Sequence, residues 1–168
     1  MGLGLKLGMV GLAFGLLAQP MMAFAADTLP GDPGSVHKSF NAIARKIEAR
    51  QRMVLTKCGK AQVRTCNYTV TGRLGVVAAS PDGQPGKLAS ITVIYASGSN
   101  ATDMIIAMGI MMLIYSPDSD QSERSLAIST LGKTINSGEK TAQVTLEDTS
   151  YTIAFYESLG LWFIIKPF

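Results

Sequence analysis

Histidine occurs once in this chain, at position 37, and cysteine twice, at 58 and 66. A hydrolase of the Ser-His-Asp or Cys-His kind needs a histidine held as base against its nucleophile, so that whole group of mechanisms rests on His37. The apolar spacing described below puts His37 in the first turn of a helix beside a Pro- and Gly-rich stretch. There an imidazole is expected to be exposed and without an orienting partner. A lone histidine also excludes an HExxH metal motif, and neither a nucleophile elbow nor a phosphate-binding glycine loop is present. No catalytic residue and no cofactor is expected.

Neither sign of charge dominates. Lys and Arg number 15 against 12 Asp and Glu, too even a balance to indicate nucleic acid as a partner. Long hydrophobic runs are lacking as well. The apolar stretches Leu7 to Ala18 and Met104 to Tyr115 both fall short of the ~20 residues that a membrane-spanning helix needs.

What is there begins with an address. A single early cation, Lys6, precedes the first apolar stretch, a Gln19-Pro20 break follows, and Ala23-Phe24-Ala25 fits a small-x-small cleavage site. Residues 1–25 therefore read as a secretory signal peptide cut after Ala25, with an uncleaved anchor as the competing reading. No cysteine lies close behind the stretch, which argues against a lipoprotein. The product is expected to be secreted or periplasmic, and not an integral membrane protein once the signal is removed.

Export decides how the two cysteines are read. Cys58 and Cys66, in CGKAQVRTC, are expected to pair, because thiols oxidise in such compartments. Closing a loop of that length is worth about 2.6 kcal/mol in the chain-entropy model. No further cysteine or nearby histidine completes a zinc set, and redox dithiols favour a tighter spacing.

Charge is unevenly spread. Lys38, Arg45, Lys46, Arg50, Arg52, Lys57, Lys60 and Arg64 face a single acid, Glu48, over residues 38–64, whereas six cations and nine acids lie from Arg73 onward. A basic N-terminal third on a mildly acidic body suggests a face for an anionic partner, such as lipid headgroups, cell-wall polymer or an acidic protein. A solvated helix face is the plainer reading.

Residues 26–35, ADTLPGDPGS, read as a flexible leader, and 36–168 as one domain. Val36, Phe40, Ile43 and Ile47 form one stripe of an amphipathic helix. A strand is expected over 53–58, with a helix running on to Gly59 as the alternative. Another is expected over 66–79, where Tyr68, Val70, Leu74 and Val76 share a phase, and a third after the SPDGQPG turn, where Ala89, Ile91, Val93 and Tyr95 alternate. Asn100 and Asp103 cap a Met-rich helix that ends at Ser116-Pro117. Asp120 and Glu123 cap a second, with Ile128, Leu131 and Ile135 on one face. AQVTLE, SYTIAFYE and LWFIIKPF complete a meander. Runs of strands interrupted by runs of helices predict an α+β domain: an antiparallel sheet of about six strands with the N-terminal helix and the central helix pair on one face.

Few of these residues carry a chemical signature. Asp118, Asp120 and Glu123 surround a helix start, and Glu147 and Asp148 fall in a turn, so capping and turn formation account for both acidic groups. Asn67 in NYT and Asn100 in NAT match the glycosylation pattern. Trp162 is a candidate recognition contact if it faces solvent beside Tyr156 or Phe168. Met104, Met108, Met111 and Met112 lie within about a third of the helix circumference, as soft thioether ligation of Cu(I) would want. The helix is apolar all round, however, which is the mark of a core helix.

The leading expectation is an exported, non-enzymatic binding domain that meets an anionic envelope partner or a protein through Lys38, Arg45, Lys46, Arg50 and Arg52, with Trp162 as a further contact. A carrier or chaperone for Cu(I) or a small apolar ligand, using the Met-rich helix, is the alternative. A hydrolase with an unrecognised site is the third. Nothing in the chain indicates its oligomeric state.

Overall fold

The computed structural model describes residues 28–59, 63–71, 73–95 and 99–168, with the backbone alone at 134–136. The signal-peptide expectation and Lys60 lie outside the described residues. The elements are α1 (Val36–Lys46), β1 (Met53–Cys58), β2 (Thr65–Val70), β3 (Leu74–Ala79), β4 (Ser90–Tyr95), α2 (Ala101–Tyr115), α3 (Gln121–Asn136), β5 (Thr141–Leu146), β6 (Thr149–Tyr156) and β7 (Gly160–Pro167). This is an α+β arrangement. The strands form one seven-stranded antiparallel sheet in the order β1-β2-β3-β4-β7-β6-β5.

The additional strand comes from the segment expected to be one strand over 66–79, which folds as a hairpin. Val70 pairs with Leu74, so three residues form the turn, and Arg73 there takes a positive φ of 65°. A three-residue turn keeps Tyr68, Val70, Leu74 and Val76 on one face, and all four are buried. The alternation thus runs unbroken through the reversal, and period-two patterning by itself cannot see it.

The last strand of each run, β4 and β7, lies at the centre of the sheet, and each outer strand follows directly on a helix, β1 on α1 and β5 on α3. The chain therefore makes two helix-then-meander halves that meet between β4 and β7, although no sequence repeat accompanies them. On the covered face, Met53, Tyr68, Leu74, Val76, Ile91, Val93, Phe163, Ile165, Tyr151 and Ile153 join Phe40, Met111 and Leu131 of the helices in one core.

α2 lies between α1 and α3, and this placement explains its composition. Neighbours on both flanks and a sheet beneath leave little of it wet, and Met104, Ala107, Met108, Ile110, Met111, Met112 and Tyr115 are buried. Asn100 caps it as expected, its side chain accepting from the Thr102 amide at 2.9 Å. α3 opens with a reciprocal capping box: the Glu123 amide donates to Asp120 Oδ1 and the Asp120 amide to Glu123 Oε2, both at 2.8 Å. That arrangement satisfies two amides that would otherwise have no partner.

The stretch expected as a leader differs from that expectation over residues 28–35. Leu29 is buried and bridges to Leu88, and the Tyr68 hydroxyl donates to the Pro33 carbonyl. Asp32 accepts from the Gly34 amide at 2.7 Å, an Asx turn that fixes the approach to α1. Pro and Gly here shape a docked turn, which composition does not distinguish from a mobile one.

Candidate functional site

The basic face is built from α1, the α1–β1 connection and β1. Val36, Phe40 and Ala44 are the buried stripe of α1. Ile43 is half-buried and Ile47 lies at the cap, 46% exposed, so Ala44 takes the inner position where the expected stripe had Ile43 and Ile47. With that side down, Lys38, Arg45 and Lys46 are exposed, as are Arg50, Arg52 and Lys57 further on.

The surrounding hydrogen bonds do little to neutralise this charge. Arg52 Nη1 donates to the carbonyls of Ala49 and Gln51 at 2.8 and 2.7 Å, which holds the connection to β1. Gln51, itself buried, donates to Asp103 Oδ1 at 2.7 Å, so that nearby carboxylate is engaged by an amide. Among the described residues only two ion pairs occur, Arg64 with Asp32 at 3.6 Å and Lys140 with Glu157 at 3.1 Å. Arg45 and Lys46 sit in the last turn of α1, where they complement the helix dipole. That reason does not extend to Lys38, Arg50 or Lys57.

Trp162 stands elsewhere. On β7 it points to the opposite face from buried Phe163, in a cross-strand row with Ile94 and Ala154, half-buried and away from the helices. Tyr156 lies edge-on to it with ring centroids 5.0 Å apart, and its indole N–H donates to the Leu159 carbonyl at 3.3 Å. It therefore does stand beside Tyr156 on an uncovered surface. The sheet separates it from Lys38, Arg45 and Lys46, so the named partner-binding residues do not form one site.

The four methionines are enclosed. Met104 and Met108 are 3% exposed and Met111 and Met112 are fully buried, so a copper-carrying role lacks the accessible sulfurs that it needs. The outer side of the same helix is different. Ile106, Gly109, Ile110 and Leu113 line a groove of about 450 Å³, with Ile47 at the α1 cap and Ile128 and Arg124 from α3.

Of the acidic groups, Asp120, Glu123 and Glu147 are engaged in capping and turn contacts. Asp120 is held below the usual carboxylate range by hydrogen bonds from the Ser122 hydroxyl and the Glu123 amide. Glu147 accepts from the Ser119 amide at 2.6 Å. His37 departs from expectation, being half-buried with Nδ1 enclosed and its ring 5.8 Å from that of Tyr68. That environment offers a base no partner. Cys58 and Cys66 form the expected disulfide, joining directly opposed residues of β1 and β2.

Three core tyrosines depart from ordinary acidity. Burial pushes Tyr68 up to about 12, reinforced by the negative charge of Asp32. It does the same to Tyr151, which shares a 2.8 Å hydrogen bond with Ser116 Oγ. Tyr115 is raised further, by burial above all. These are the marks of closed packing, since neutral phenols are what a core holds most easily.

Two features escaped the sequence reading. One is the groove on the outer side of α2, which required knowing which face the sheet claims. The other is Asn41, whose side-chain amide both donates to the Met53 carbonyl and accepts from its amide, each at 2.8 Å. Its place on the polar side of α1 was the only available sign. No known protein family, curated protein or solved structure matches this chain.

Proposed function

We propose that this chain is an exported, non-enzymatic binding protein that engages an anionic partner through the surface of α1 and β1. The observation that carries this reading is that Lys38, Arg45, Lys46, Arg50 and Lys57 are all exposed, with no acidic side chain paired to any of them among the described residues. Export rests on the signal-like residues 1–25 and agrees with the disulfide, a bond found mainly in oxidising compartments. Each cation near an anionic surface contributes about 1 kcal/mol, screened by salt.

The test compares sedimentation with phosphatidylglycerol-containing vesicles, and capture of envelope components, for the native chain, R45E/K46E and K87E/K133E. The last pair reverses exposed charges elsewhere, so net charge is matched. Reversal on α1 should weaken binding at least about thirtyfold while the control changes it little. Equal losses in both would reduce the effect to net charge and sink the reading.

The groove along α2 favours a second reading, a carrier of a small amphipathic anion. Its tail would lie on Ile106, Ile110, Leu113 and Ile128, beside Arg124, whose Nη1 also donates to Ser119. A Cβ at Gly109 would meet nothing within 4 Å, so G109L should fill the groove without disturbing the fold. Lauric acid titrated against an apolar fluorophore should compete in the native chain and fail to do so in G109L.

A further inference from the structure

β5 is an edge strand, and among the described residues no hydrogen bond reaches its outward backbone groups. The Phe155 amide donates to the Lys140 carbonyl at 2.8 Å, and Lys140 stands one place before the Thr141–Ala154 pair. In an antiparallel ladder the bonded residues alternate, so Ala142, Val144 and Leu146 bond inward to β6. Thr141, Gln143 and Thr145 then direct both N–H and C=O away from the sheet. The strand, TAQVTL, carries no charge and no proline, and its register with β6 has no bulge. These are the devices that normally deter edge pairing.

Beside this edge lies an apolar groove of about 230 Å³ lined by Leu126, Ala127, Val144 and Leu146. Leu126, on α3, is 67% exposed. A strand added to β5 would run along this groove and cover it.

We propose that this edge pairs with β5 of a second copy of the chain, antiparallel and about a two-fold axis, extending the sheet across both subunits. The match of the strand with itself selects this occupant. When Val144 faces Val144 of the second copy, Gln143 faces Thr145 and Thr141 faces Glu147, so outward residues meet outward residues and about four backbone hydrogen bonds form. In that register Lys140 of each copy comes to the Glu147–Asp148 turn of the other, giving opposite charges at both ends of the seam. Val144 and Leu146 continue the core beneath the two α3 helices, and Leu126 of each copy closes over the joined grooves. The pairing is isologous and closes at two copies, as a two-fold interface does.

The experiment is sedimentation equilibrium over a concentration series, combined with amide exchange on the intact chain. A dimer is expected, with the Gln143 and Thr145 amides slowing as concentration rises. T145P removes an outward N–H while leaving the inward ladder intact, and should raise the dimer Kd at least about tenfold. Because proline could also loosen the strand, a second series uses charge. K140E should weaken the dimer and K140E/D148K should restore it, a rescue that a purely structural role for Lys140 would not produce. W162A, on the uncovered face, should leave it unchanged. A chain that stays monomeric to millimolar concentration overturns the proposal. So does a dimer that persists in T145P and K140E or is lost in W162A.

Discussion

β1 and β5 are both six-residue strands at the two ends of one sheet, and both follow directly on a helix, yet their free edges are finished in opposite ways. At β1 the Asn41 amide occupies the outward N–H and C=O of Met53, in the place a neighbouring strand would take. The register then slips between Leu55 and Lys57, and the disulfide ties Cys58 to β2. Val54 is 60% exposed there, so without those features β1 would present an apolar, β-prone edge. At β5 the outward groups of Thr141, Gln143 and Thr145 have no such substitute among the described residues, and an apolar groove runs alongside. Equivalent topology does not impose equivalent exposure. Local side chains decide whether an edge stops or continues the sheet.

The largest expected effect lies at the guarded end. Replacing both cysteines by serine should cost on the order of 2 to 4 kcal/mol in denaturant unfolding. Amide exchange should rise across β1 and β2 while β5 and β6 change little. Equal loosening at both ends would show that the bridge stabilises the whole sheet and not its edge.

Next comes pH, because each half holds a buried tyrosine one strand in from its edge, Tyr68 on β2 and Tyr151 on β6. Both have folded-state values of about 12 against an ordinary 10. A group whose value is raised by folding contributes stability that is fully present below its unfolded value and lost as pH rises through the folded one. Stability should therefore be flat up to about pH 10 and fall toward pH 12, by on the order of 2 kcal/mol for Tyr151 and less for Tyr68, whose charge solvent screens more. Phenylalanine at either position should remove its share of the alkaline slope, measured by unfolding midpoints across that range.

Asn41→Ala should cost about 1 to 2 kcal/mol by leaving both polar groups of Met53 without a protein partner. It should also open β1 to pairing, seen as new higher-order species in sedimentation. If stability falls and no new species form, the bulge and the disulfide suffice to guard that edge. The smallest effect is Lys140→Ala, expected within about 0.5 kcal/mol because its pair with Glu157 is exposed on both sides. Its influence on self-association should be larger than its influence on folding.

Much of this architecture was legible in the residues. α2 and α3 start at the capping residues read from Asn100 and from Asp120 with Glu123, and the meander of β5, β6 and β7 follows the alternation of Val144, Tyr151, Ile153, Phe163 and Ile165. The hairpin between β2 and β3 was not legible, because a three-residue turn preserves the phase. The docking of residues 28–35 was not legible either, because Leu29 and Pro33 find their partners, Leu88 and Tyr68, far along the chain. Of the candidate surfaces, the exposed cations of α1 were readable from helical spacing, but their separation from Trp162 was not. Which face of the sheet the helices take is a property of the assembled layers.

By itself, the amino-acid order determined the local events: where helices are capped, which residues alternate, that two cysteines stand close enough to bridge, and that positive charge gathers between Lys38 and Arg64. Each depends on interactions within one or two turns of chain, where sequence distance and spatial distance are nearly the same. Only the tertiary structure decided that a groove remains along the outer side of α2, that Asn41 guards β1 and that the outward groups of β5 meet no partner among the described residues. Those outcomes depend on which segments, distant in sequence, come to lie beside one another, and a local pattern carries no record of that.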